Sequence, residues 1–237
     1  WHSIMFTFCK NRSRSNQRNQ KSLNDKMLTF NKQTISVFII WLFVISAIVG
    51  IYLGYLGWFI PKTPLNLLLG AGLLFWNIPI NSLKKIGIWC IAFSVGMLIE
   101  IIGVQTGNIF GDYYYGENLG IKFKEVPYMI GINWAVISFI TAAISSRLTL
   151  NFWGSVIIGS CLMLGLDFLM EPLASIFDFW HFEGGIIPIK NYIAWFITSF
   201  LLQTLIRKTI VFEDSYYPIH LFISQVIFFG SCNLILF

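Results

Sequence analysis

Apolar stretches of helix length recur along nearly the whole chain, broken by short segments where glycine, proline and asparagine gather. A hydrocarbon core about 30 Å thick takes roughly 20 apolar residues as a helix. On that pattern, spans are expected at 35–56, 65–80, 86–106, 128–144, 152–171, 191–206 and 217–237. The second is short and bounded by Pro64 and Pro79, which suggests a tilted or partly re-entrant segment; a six-span variant is the alternative. The expected fold is all-α: a polytopic membrane helical bundle of about seven transmembrane helices, forming one domain over 35–237.

Composition sharpens this. Of 237 residues, 56% are hydrophobic and 11% charged, where soluble domains carry about 25% charged residues. Mean hydropathy is +0.71. The net charge of +5 comes mostly from residues 1–34, with Lys10, Arg12, Arg14, Arg18, Lys21, Lys26 and Lys32. Beside a first span, such a tail reads as a cytoplasmic topology signal, so no nucleic-acid partner is expected. With the N-terminus inside, 12 Lys and Arg fall on cytoplasmic segments and 4 outside. The expected setting is the cell (inner) membrane, multi-pass, with the bilayer itself as partner. The tail 1–34 is expected to be disordered, and Met27 is a candidate biological start. The first apolar run is too long for a signal peptide and lacks a small-residue cleavage site.

Several chemistries find no support. Cys9, Cys90, Cys161 and Cys232 are scattered without a CxxC, and His2, His181 and His220 are too dispersed for a metal cluster. No Walker or dinucleotide-binding glycine motif occurs. No metal and no cofactor are expected.

Ionisable groups inside spans are expensive and mark function by default. The carboxylates inside the expected spans are Glu100, Asp167 and Glu171. On alternating topology all of them fall toward the same side of the membrane. Asp167 and Glu171, at i and i+4, share a helix face, and Pro172 is expected to end that helix at Glu171. Glu100 shares a face with Gly103 and Gly107, a GxxxG spacing that allows close helix approach and turns the carboxyl into the bundle. Asn133 with Trp134, and Asn191 with Trp195, lie at similar depth, and Tyr113, Tyr115 and Trp180 follow in the loops.

A lone buried carboxylate is often only a helix–helix hydrogen bond, and single aromatics belong to the interfacial belt. Convergence of these carboxylates favours a site instead. His181 reads as interfacial. Such carboxylates in one low-dielectric pocket cannot comfortably all be ionised, so at least one is expected to hold its proton and serve as general acid beside a carboxylate base. Acid–base chemistry on an apolar substrate is the expectation.

The stretch EIIGVQTGNIFGDYYYGENLG with VPYMIGINW, and LDFLMEPLASIFDFW with IPIKNYIAW, resembles the carotenoid-biosynthesis membrane-protein family that contains the carotenoid 1,2-hydratases and bisanhydrobacterioruberin hydratase. The resemblance runs from Phe38 to the C-terminus. Glu100, Gly103, Thr106, Gly107, Phe110, Gly111, Tyr113 and Tyr115 stand on its first motif. Pro127, Trp134, Asp167, Pro172, Trp180, Pro188, Asn191 and Trp195 follow. Phe182 stands where an aromatic, often tryptophan, is common.

The resemblance implies hydration of the terminal C=C of an acyclic carotenoid, a hydro-lyase activity without cofactor. Glu100, Asp167 and Glu171 are then the acid and base candidates. Tyr113, Tyr115, Asn133, Trp134, Trp180, Asn191 and Trp195 would bind the substrate, and Gly103, Gly107, Gly111, Pro127, Pro172 and Pro188 would be structural. The expected partner is the hydrophobic carotenoid, with association with other carotenoid enzymes as a further expectation. The alternatives are an end-group cyclase or isomerase, and a proton-coupled transporter or carotenoid-binding membrane protein. No lysine lies within a span, which argues against a retinal Schiff base.

Overall fold

A computed structural model describes Met27 and residues 31–78, 81–149, 151–212 and 214–237. Its long helices are α1 (Asn31–Tyr52), α2 (Leu56–Asn77), α3 (Leu83–Thr106), α4 (Tyr128–Leu148), α5 (Phe152–Ala174), α6 (Ile189–Thr209) and α7 (Tyr217–Leu236). The protein is an all-α polytopic bundle. All but α6 are long and apolar enough to cross a membrane.

Helix α6 has the length but a different distribution of polarity. Asn191, Thr198, Ser199 and Gln203 are buried, while Ile193, Ile197 and Leu201, at i, i+4 and i+8, are exposed. Its polar face is turned inward and its apolar stripe outward, as lipid surroundings demand. Gln203 Nε2 donates to Ser138 O at 3.1 Å and Thr141 Oγ1 at 2.8 Å, tying α6 to α4.

Some boundaries differ from the sequence expectation. Helix α1 starts at Asn31, so 31–34 are helical; apart from Met27, the rest of the tail lies outside the described residues. The second span is not a short 65–80 segment. It begins at Leu56 and passes through a 3-10 turn, Ile60–Lys62, in which Pro61 occupies an early position where no N–H is needed. Pro172 does not end α5, which continues to Ala174. The missing N–H costs α5 the single backbone bond Pro172 would have made to the carbonyl of Phe168, and the helix ends two residues on.

Helix α4 is the hub, packing on α2, α3, α5, α6 and α7. Of its membrane-length stretch 72% is buried, against 39% or less in the other candidate spans. Small residues let its neighbours close in: a Cβ on Gly96 of α3 would collide with the Trp134 side chain, and one on Gly131 with Met97 and Phe93. The GxxxG pair works differently from the expectation. Gly103 makes room for Phe110 and the Tyr113 hydroxyl, and Gly107 is the left-handed C-cap of α3, with φ 63°. Both serve the chain's return over the helix end, and Gly96 provides the close helix approach.

That return forms strands the hydrophobic pattern does not announce. β1 (Tyr113–Tyr115) pairs antiparallel with β4 (Trp180–Phe182), in register Tyr113 with Phe182 and Tyr115 with Trp180. β2 (Lys122–Phe123) and β3 (Val126–Pro127) form a second small ladder. The α3–α4 and α5–α6 loops are thereby fastened together over one end of the bundle. Gly116 N donates to Phe179 O at 2.9 Å and Lys190 Nζ to Gly107 O at 2.7 Å.

Candidate functional site

Beneath the fastened loops lies a narrow cavity, about 380 Å³ when all space between its walls and its open mouth are counted. Its walls come from the end of α3, the start of α4, the end of α5, the start of α6, and the β1–β4 ladder. Strand alternation decides which loop aromatics face it. Tyr113 and Tyr115 are buried and line it, while Tyr114 between them is exposed and stacks on His181 at 5.0 Å. Trp180 and Phe182 line it from the partner strand by the same alternation.

Glu100 is buried at the centre and accepts three side-chain hydrogen bonds. Tyr113 and Tyr115 hydroxyls reach Oε2 at 2.6 and 2.7 Å, and Trp134 Nε1 reaches Oε1 at 3.0 Å. Burial, followed by the facing carboxylate of Glu100, pushes both phenols well above their ordinary range, so they act as donors. Glu171, also buried, accepts from Trp180 Nε1 at 3.0 Å and Asn191 Nδ2 at 2.7 Å. Trp134 and Trp195 stack at 4.0 Å with an interplanar angle of 15°, and Tyr113 packs against Phe182 at 5.5 Å.

Of the residues singled out from the sequence, Glu100, Glu171, Tyr113, Tyr115, Asn133, Trp134, Trp180, Asn191 and Trp195 all line this one cavity. Asp167 does not. It is fully buried behind Asn191, accepting from Asn191 Nδ2 at 3.4 Å, while its Oδ1 has no partner. Among the described residues, no Lys, Arg or His pairs with any of these carboxylates.

Gly111, at φ 125°, lies against Pro188. Pro127 and Pro188 stand in extended backbone as the N-caps of α4 and α6, and set where the helices carrying Asn133 and Asn191 begin. The lining also includes Ile130 and Met170, which the sequence reading did not single out. Helical spacing could have found both: Ile130 is three residues before Asn133, and Met170 three after Asp167.

His181 makes its contacts outside the cavity. Its Nε2 lies 2.9 Å from Asp178 Oδ1, on the outer side of the ladder. The backbone N–H of Glu117, and then His181, hold the Asp178 carboxyl below the usual carboxylate range. Asp178, through the Glu117 N–H, and His181, through its stack on Tyr114, fasten one loop to the other outside the cavity.

The fold and site define a polytopic membrane bundle that encloses carboxylates in an aromatic cavity under paired loops. The chain belongs to a family described as carotenoid biosynthesis protein, whose profile matches residues 63–236. No curated protein and no solved structure matches it.

Proposed function

We propose that the protein is a carotenoid hydratase, adding water across the terminal C=C of an acyclic carotenoid end group. The observation that carries this reading is the pairing of Glu100 and Glu171 across one aromatic cavity, each held by neutral donors only. Family membership supplies the substrate class.

Glu100 receives three donors on its two oxygens, an arrangement suited to a carboxylate and awkward for a carboxylic acid, which must find an acceptor for its own O–H. Glu171 shares Asn191 with Asp167, so that pair is the natural store of a proton, because two adjacent buried charges without a cation are costly. Glu171 then gives its proton to the less substituted carbon of the alkene. The π pair becomes the new C–H bond, and the positive charge falls on the tertiary carbon.

The faces of Trp134, Trp195, Tyr113 and Trp180 stabilise that cation, as does the charge on Glu100. Water adds through oxygen, and Glu100 takes the released proton. A protonated alcohol is strongly acidic, so a carboxylate weakened as a base by three donors still suffices. Return of the proton to Glu171 completes a redox-neutral cycle: alkene plus water gives a tertiary alcohol.

The test is expression in a host that makes lycopene, with pigments analysed by liquid chromatography and mass detection. The expected result is a more polar product heavier by one water, reduced roughly 10²-fold or more in Glu100→Gln and in Glu171→Gln. A new product of unchanged mass would mean cyclisation or isomerisation and overturn hydration. Full hydration by both variants would overturn the site.

A further inference from the structure

The site cavity is far too small for a whole carotenoid, but it is not isolated. A second narrow cavity, about 400 Å³ with its open space counted, shares Ile130, Asn133, Met170 and Trp180 with it. This second cavity in turn shares Thr63, Leu67, Phe179, Gln225 and Phe229 with a cleft of about 1440 Å³, measured with its open mouth. The voids have walls in common in the order site, throat, cleft.

The cleft is walled by α1, α2 and α7 and is largely apolar. Its rim carries Leu42, Phe43, Trp58 and Leu65, all large, apolar and exposed. In a membrane-spanning bundle such a mouth opens to lipid. Its cation, Lys62, is held by the Trp58 carbonyl at 2.6 Å and over the Trp58 ring at 3.5 Å.

We infer that this cleft seats the long apolar chain of the substrate, and that the chain passes through the throat at Leu67 and Phe179 to bring its end to Glu100 and Glu171. The inference rests on the hydratase reading and deepens it: the substrate is drawn laterally from the bilayer and held along its length. A phospholipid acyl chain has the same apolar character. Walls shared in sequence as far as the carboxylates favour an isoprenoid, whose end carries the double bond on which they can act. Gln225, shared by cleft and throat, supports passage of a substrate that gains a hydroxyl, because its buried Oε1 has no hydrogen-bond partner and can accept from one.

The experiment purifies the chain from the lycopene-producing host and reads retained polyene by visible absorption of the monodisperse protein peak, with extracted lipids identified by mass spectrometry. Ala47→Trp fills the cleft and Leu67→Trp the throat; Leu67→Phe, a smaller step, repeats the test if either tryptophan variant is not monodisperse. Wild type and Glu100→Gln should both retain polyene. The cleft and throat variants should lose both polyene and hydrated product. Retention of polyene and product by these variants would overturn the cleft while leaving hydration intact, and co-purified phospholipid without polyene would overturn it too. Polyene retained by wild type in a cleft-dependent way, with no hydrated product, would sustain the cleft and sink the hydratase reading.

Discussion

Asp167 and Glu171 share a helix face one turn apart, yet the structure gives them different work. Glu171 faces the cavity, whereas Asp167 lies behind it and accepts from the Asn191 amide that also holds Glu171. On the proposed mechanism Asp167 shares the stored proton with Glu171 and acts on the substrate only through Asn191, as a positioning residue. Asp167→Asn keeps the shape and a polar contact to the Asn191 amide, so its hydration rate should stay within about tenfold of wild type. Asp167→Leu leaves Asn191 loose and should fall roughly 10²-fold, the scale of a misplaced catalytic group. Rates from both variants at matched membrane expression check this; equal loss in the two would make Asp167 a proton donor in its own right. The convergence of these carboxylates is legible in the sequence because helix periodicity and alternating topology set depth and face. Which of them reaches the cavity is not, because that depends on Asn191 of another helix coming between.

The loop elements were the least legible part of the fold. A three-residue strand has no hydrophobic period of its own, and β1 finds its partner in β4 only after two helices have brought it there. Helix interiors, by contrast, are readable; the expected end at Glu171 gives Pro172 too much weight, and the expected start of the second span follows Pro64, which opens the regular helix Thr63–Asn77 but not the turns before it. The ladder nonetheless makes a sharp prediction, since its alternation sends Tyr113 and Tyr115 inward and Tyr114 outward. Tyr113→Phe and Tyr115→Phe each remove a donor to Glu100 and should lower hydration by about tenfold or more. Tyr114→Phe should leave it unchanged, because the Tyr114 ring stacks only on the outer His181. Equal sensitivity at all these tyrosines would mean that the register is not the functional one.

At the scale of the molecule, the open question is which aqueous phase meets the site end of the bundle. Lys62, Lys122, Lys124 and Lys190 lie at that end, whereas Lys84, Lys85, Arg147, Arg207 and Lys208 lie at the other. The other end is also where α1, preceded by the basic tail, begins. Excess Lys and Arg on short loops marks the cytoplasmic face, which predicts that the carboxylate cavity lies at the outer ends of the helices. Water would then reach Glu100 from outside, while the isoprenoid arrives from the side. Single cysteines placed in a chain stripped of its own four test this with a membrane-impermeant maleimide. Glu125→Cys, in the loop over the site, should label in intact cells. Thr149→Cys, at the far end of α4, should label only after permeabilisation. The reverse pattern would turn the bundle over and move the source of water to the cytoplasm. It would leave the acid–base chemistry unchanged, because the carboxylates, their donors and the cavity are fixed by the bundle and not by its orientation.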